Sequence, residues 1–285
     1  MRKNKFSSFK DKGIIKFNKL LSKKDCKNIN NLILKNRNWG KELFIDEKDF
    51  LKQKKYKKIN PGKNIQNLAN KFDLNFIEKN STITRFLRRI LGNDYRIILS
   101  KFIVSIPYKW MPKYVKELDK KDPVKNLNKF IKKKYRDVTY FQGLDFHMDS
   151  IDRPHNNNKF ITLYAYLDKV SKQMSPLEIV EASHKFGHDT WPHYIKKNNN
   201  SSLHYSPDNK KFFKLKKSIL SGNMGDVFIW TSNTLHGTSK PGIKSKKTRI
   251  SLRYLIEKTT KKKTLIDDVI IQNRINEVVK KYEKN

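Results

Sequence analysis

The chain has 285 residues, with 64 Lys and Arg against 27 Asp and Glu, a formal net charge of +37. An aromatic share of 12% argues against a disordered polyelectrolyte, and no stretch nears the roughly 20 apolar residues of a membrane span. A single cysteine, Cys26, excludes an internal disulfide and any multi-cysteine zinc or iron–sulfur site. The basic opening Met1-Arg2-Lys3-Asn4-Lys5-Phe6 is followed by no apolar segment, so no secretory leader is expected and a cytoplasmic location is.

In chain order, 13–21 (GIIKFNKLL) reads as a short strand and turn. Ser22 then caps a helix with Asp25 as its reciprocal partner, and Ile29, Leu32 and Ile33 share one helical face. Residues 38–63 read as a loop. A second helix over 81–91 has Ser81 as its cap, an apolar stripe of Ile83, Phe86, Leu87, Ile90 and Leu91, and Gly92 as its stop. Beyond Gly92 the pattern changes to short β-branched and aromatic runs at 95–106, 138–149, 160–168, 177–182, 226–235 and 248–257. Such a series predicts an antiparallel sandwich or barrel. Two basic segments, 108–136 and 194–217, interrupt it and read as insertions or lids over a site, and 265–283 reads as a closing helix. No repeat or linker divides the chain, so one domain over 1–285 is expected: a mostly helical part over 1–92, a β core over 93–258, and the C-terminal helix.

The charge is lysine, not arginine: only 11 of the 64 basic residues are Arg, and alanine occurs only at 69, 165 and 182. Lysine, asparagine, isoleucine and phenylalanine share A/T-rich codons, so base composition accounts for much of the excess. Arginine, whose planar fork suits phosphate and guanine, is scarce, which argues against nucleic acid as the main partner. A charge of +37 still steers anionic molecules toward the surface.

The chemistry gathers in Phe146-His147-Met148-Asp149, at the end of a predicted strand. Residues i and i+2 of a strand share a face, so His147 and Asp149 can address one metal. His236, in Leu235-His236-Gly237 after the strand Gly225-Asp226-Val227-Phe228-Ile229-Trp230, offers a third ligand. Two histidines and one carboxylate with open positions suit a non-haem Fe(II) centre that admits a co-substrate and O2. The next alternating run, Arg249-Ile250-Ser251-Leu252-Arg253-Tyr254, puts Arg249 and Ser251 on one face. An arginine and a hydroxyl there can hold a carboxylate bidentately, as the far end of 2-oxoglutarate requires.

The region from about 138 to 257 resembles the phytanoyl-CoA dioxygenase family of Fe(II)/2-oxoglutarate oxygenases. The segment from Ser175 to Lys185 (SPLEIVEASHK) is similar to that family's "GPL…PGSHK", and 13–33 resembles its opening strand and helix. The departures are Met174-Ser175 for Asn-Gly and Glu181-Ala182 for Pro-Gly. The resemblance implies a double-stranded β-helix core of cupin-like, jelly-roll type with flanking helices. It also implies His147, Asp149 and His236 as iron ligands, Arg249 as the 2-oxoglutarate anchor, and Thr238 as a further hydroxyl near that carboxylate.

The expected activity is hydroxylation of a C–H bond in a small organic substrate, with 2-oxoglutarate leaving as succinate and CO2. The charge favours an anionic substrate. The competing reading is an oxygenase-fold protein that acts on or binds nucleic acid or a protein through its basic surface. His184 reads as a structural histidine of the Ser-His turn rather than a zinc ligand with His188 and His193, and Cys26 as buried and inert. The aromatics Tyr108, Trp110, Tyr114 and Tyr135 are expected to grip the substrate from a lid over 108–136.

Overall fold

The computed structural model describes residues 3–35, 37–52, 67–119, 126–141, 143–152, 159–189, 193–199, 201–239 and 247–270. Among the described residues the α-helices are α1 (Lys3–Lys12), α2 (Lys23–Lys35), α3 (Glu47–Lys52), α4 (Asn75–Glu78), α5 (Ser81–Leu91), α6 (Lys113–Asp119) and α7 (Leu265–Val269). The strands are β1 (Ile14–Phe17), β2 (Tyr95–Ser105), β3 (Thr139–Phe141), β4 (Leu144–His147), β5 (Phe160–Tyr166) and β6 (Leu177–Val180). They continue with β7 (Tyr194–Asn198), β8 (Ser202–Ser206), β9 (Phe213–Leu220), β10 (Val227–Thr231), β11 (His236–Thr238) and β12 (Arg249–Lys258).

Two six-stranded sheets form, in the orders β1-β10-β5-β12-β2-β3 and β4-β11-β6-β9-β8-β7. All neighbours are antiparallel except β2 and β3. This is a mainly β, double-stranded β-helix architecture: the strand pattern predicts a sandwich or barrel, and the family resemblance implies this form of it. Alternation along each strand splits the apolar residues between faces. Inward-facing Ile103, Tyr164, Phe228 and Trp230 of the first sheet pack with Leu177 and Ile179 of the second. The outer face of the first sheet, including Phe102, Val104, Leu163 and Leu252, packs on the helical layer.

The helical layer forms where the stripe predicts it. Ile83, Phe86, Leu87, Ile90 and Leu91 of α5 are all buried. Its cap is Asn80, not Ser81: the Asn80 side chain accepts from the Thr82 and Ile83 N–H groups at 3.1 and 3.3 Å. Asparagine caps at least as well as serine, so the start moves by one residue. Ser22 does cap α2, accepting from Lys24 N at 3.2 Å. The Gly225-Asp226 pair anchors this layer to the sheet. Asp226, wholly buried, accepts from Lys19 N at 2.7 Å and pairs with Lys16 at 2.8 Å. Gly225 has a φ of +83°, and a Cβ there would stand 2.5 Å from the Leu21 carbonyl oxygen, so only glycine lets the two chains meet.

Both basic segments differ from their sequence reading. Residues 194–217 are not an insertion but sheet: β7, β8 and most of β9 extend the second sheet beyond β6. Lysines alternate with Phe213 and Leu215 along β9, and that period of two was masked by the charge. In 108–136 the aromatic rings join the core. Tyr114 and Tyr135 are buried, Trp110 lies 6.1 Å from Trp39, and Tyr114 donates its hydroxyl proton to the Ile45 carbonyl. These rings pack with the outer-face cluster, so apolar burial outweighs the substrate-gripping role expected of them. The 38–63 loop likewise contains α3, with Phe50 buried against Phe130. The closing helix runs as Leu265–Val269, and its expected continuation lies outside the described residues.

Phe86 is fully buried and touches the rings of Phe6, Phe9 and Phe17 at 5.4–5.5 Å. Phe86→Ala is expected to cost about 3–5 kcal/mol, read as a lowered urea midpoint in equilibrium unfolding.

Candidate metal centre

His147 closes β4, and Asp149 opens a single 3-10 turn, Asp149–Asp152. Met148 between them is fully buried on the opposite side, with Val180, Leu203 and Leu235. His147 and Asp149 therefore turn inward together. β4 runs antiparallel to β11, and the register sets His147 opposite His236. The ladder is tight. A Cβ on Gly237 would lie 2.6 Å from the Leu144 carbonyl oxygen, so glycine is what lets β4 approach the strand that carries His236.

Among the described residues, His147, Asp149 and His236 are the one group of three whose ligand atoms converge, all within 4.8 Å of one another. Asp149 Oδ1 lies 3.9 Å from His147 Nε2 and 3.5 Å from His236 Nε2. Each imidazole donates its Nδ1 proton to a carbonyl: His147 to Asp145 at 3.0 Å, His236 to Thr234 at 2.9 Å. That fixes the tautomer that leaves Nε2 with its lone pair, the form a metal takes. Burial and the neighbouring His236 imidazole push the His147 pKa down to about 3, so its ring is neutral at ordinary pH.

Asp149 is held from the other sheet. Trp230 Nε1 donates to Oδ2 at 3.1 Å, Thr162 donates its hydroxyl proton to the same oxygen, and Arg253 binds Oδ1. Burial alone would raise the carboxyl pKa, but the Arg253 guanidinium outweighs it and holds the group well below the usual range. Arg253, Thr162 and Trp230 were not assigned these contacts from sequence. Only the alternation of β12 pointed to Arg253, as the residue two beyond Ser251.

The structure places Arg249 and Ser251 on the inward face of β12, both buried. Arg249 Nε and NH1, Ser251 Oγ and the Tyr164 hydroxyl are buried with no hydrogen-bond partner among the described residues. The Arg249 guanidinium lies over the Tyr164 ring at 5.8 Å. Unpartnered buried guanidinium donors are costly, and a carboxylate is the group that satisfies them in pairs. Thr238 is on β11 as expected, but its hydroxyl already accepts from Leu144 N at 2.7 Å and so braces β4.

The donor set fits a divalent metal with N/O preference, and the Arg249 surroundings fit a carboxylate of its co-ligand. His184 stands apart from both, buried and bonded to the Lys10 carbonyl at 3.0 Å, and His193 pairs with Asp189 at 3.1 Å. Cys26 is buried, with its thiol pushed up to about 11 by burial. Among the described residues no helix is long and apolar enough to cross a membrane.

Neither a protein-family model nor a curated protein matches the sequence. Solved structures do match the fold. The non-heme α-ketoglutarate-dependent epimerase SnoN of nogalamycin biosynthesis aligns with a TM-score of 0.52 at 11% identity, over 90% of this chain and 83% of its own. The non-heme α-ketoglutarate-dependent carbocyclase SnoK of the same biosynthesis gives 0.50 at 13% identity, over the same shares. EvdO2 from Micromonospora carbonacea var. aurantiaca gives 0.51 at 9% identity, over 95% of this chain and 97% of its own. At such identities the likeness establishes the fold, which two non-heme α-ketoglutarate-dependent enzymes share.

Two outcomes follow. Gly237→Ala is expected to push β4 from β11 and weaken Mn2+ binding more than about tenfold, read by the signal of free Mn2+ in electron paramagnetic resonance. His184, lowered by burial from 6.5 to about 4, binds protons more readily in the unfolded chain. Its contribution to stability is thus complete above 6.5 and is lost as the pH falls toward about 4, so His184→Gln is expected to flatten the acid limb of the unfolding midpoint against pH.

Proposed function

We propose that the chain is an Fe(II)/2-oxoglutarate-dependent oxygenase of the phytanoyl-CoA dioxygenase type that acts on a C–H bond of a small, anionic organic molecule. The observation that carries the reading is the pairing of two features on the facing inner surfaces of the two sheets. Two imidazole Nε2 atoms and one carboxylate oxygen converge, and on β12 a buried Arg249 presents two unpartnered N–H donors beside Ser251.

In this reading His147, Asp149 and His236 hold iron, and Arg249 with Ser251 holds the distal carboxylate of 2-oxoglutarate. Iron, 2-oxoglutarate and O2 together supply an oxidant able to break a C–H bond, with succinate and CO2 as co-products. The protein's share is position. The Nδ1 bonds of both imidazoles to backbone carbonyls turn Nε2 toward the site, Thr162 and Trp230 fix Asp149 Oδ2 so that Oδ1 faces the imidazoles, and Tyr164 and Trp230 wall the site with apolar surface. SnoN and SnoK are an epimerase and a carbocyclase, so hydroxylation is one of several outcomes that this fold serves.

A candidate place for a small substrate is an open pocket of about 450 Å3 beside the barrel. Its lining includes Ile14 and Ile179, the register partners of Trp230 and His236, with Lys5, Lys12 and Lys16 on the rim; Lys12 is paired with Glu181 and Lys16 with Asp226, which leaves Lys5 as the cation of the three without an ion pair among the described residues. Glu181 on that rim is already engaged by Lys12 and Lys216. The size is that of a small-molecule pocket.

The test is an anaerobic titration of the full chain with Fe(II) and 2-oxoglutarate, followed by a screen of small acids read as succinate release. His147→Ala is expected to abolish succinate formation. Arg249→Lys is expected to weaken 2-oxoglutarate binding by about tenfold or more, because a point charge cannot replace a two-pronged contact. Unchanged 2-oxoglutarate affinity in Arg249→Lys would reject that assignment.

A further inference from the structure

Arg253 lies four residues beyond Arg249 on β12, on the same inward face, across from Tyr164 of β5. Its guanidinium NH2 binds Asp149 Oδ1. That atom is also the one facing both imidazoles, at 3.9 and 3.5 Å from their Nε2 atoms. The other oxygen, Oδ2, is taken by Trp230 and Thr162. A divalent cation and Arg253 therefore address one and the same oxygen of one buried carboxylate.

We propose that Arg253 opposes divalent-metal binding at Asp149 and couples it to an anionic co-ligand, so that the metal is held firmly only together with a 2-oxo acid. The inference rests on the proposed function and adds a positioning residue that the resemblance does not supply. A metal bound through Oδ1 draws charge from the carboxylate that now neutralises Arg253 and sets a dication beside a guanidinium, at a site screened from water. A 2-oxo acid returns a negative charge to the same place. Such coupling is reciprocal, so the metal must favour the 2-oxo acid by the same factor. A merely structural clamp acts in the opposite sense: loss of Arg253 would loosen Asp149 and weaken the metal.

The sign separates the two. Mn2+ is titrated anaerobically into the full chain, with and without saturating 2-oxoglutarate, and free Mn2+ is followed by electron paramagnetic resonance. In Arg253→Gln the affinity for Mn2+ alone is expected to rise by about tenfold, within the usual range of coupling between sites, while the enhancement by 2-oxoglutarate shrinks. Arg253→Lys keeps the charge and is expected to stay within about threefold of the wild type in Mn2+ affinity. Arg253→Met serves as the neutral variant if the glutamine variant does not fold, as judged by circular dichroism. Weaker or equal Mn2+ binding in the neutral variant overturns the inference, as does tightening in Arg253→Lys as large as in the neutral one. If the wild type binds no Mn2+ even with saturating 2-oxoglutarate, the proposed function itself fails. If it binds Mn2+ and the neutral variant is no tighter, only the role of Arg253 falls.

Discussion

The buried carboxylate of Asp149 is the constraint on which the rest of the interior depends. A charged carboxyl at 1% exposure is tolerated only when its oxygens are paired. Its partners come from three strands of the opposite sheet: Thr162 on β5, Trp230 on β10 and Arg253 on β12. Asp149 itself belongs to the turn that follows β4. The carboxylate thus ties the two sheets at one level, and that level is where His147 and His236 meet. Fold closure and the geometry of the candidate metal centre are one problem with one solution.

The inner face of β12 carries the polar half of that solution. Between Ile103 of β2 and Tyr166 of β5, the register partners of Ser251, it sets Arg249, Ser251 and Arg253 in a row. Arg253 is matched by Asp149, whereas Arg249 keeps two buried N–H donors without partners. In a folded protein such orphans are few, and they mark places where stability is given up for binding. The two arginines thus differ: Arg253 secures a protein carboxylate, and in the proposed function Arg249 receives one from outside.

The lysine excess is used structurally more than its abundance implies. On β9, Lys214 and Lys216 are exposed, while Leu215 between them faces the other side and joins a small apolar cluster. Lys217 is buried and pairs with Glu178 at 3.5 Å. The outermost strand of that sheet, β7, carries exposed Lys196, a charge that discourages pairing with a second chain. Exposed pairs such as Lys216 with Glu181 add little stability each.

Local pattern determined a good deal. The stripe of α5, the i/i+2 spacing of His147 and Asp149, and the alternation that puts Arg249 with Ser251 all follow from helix and strand periodicity, which acts over a few residues. The mainly β character beyond Gly92 follows for the same reason. What the tertiary structure alone decided is whatever requires residues far apart in the chain to meet. Thr162, Trp230 and Arg253 reach Asp149 across 13, 81 and 104 positions, and no local period reports such a meeting. The same holds for 194–217, whose lysines hid three strands until pairing with β6 gave them a register. It holds for the rings of 108–136, which became core because the helical layer lay within reach of their apolar surface. Sequence determined which faces could be polar or apolar; packing and long-range pairing decided which polar groups were left facing one another.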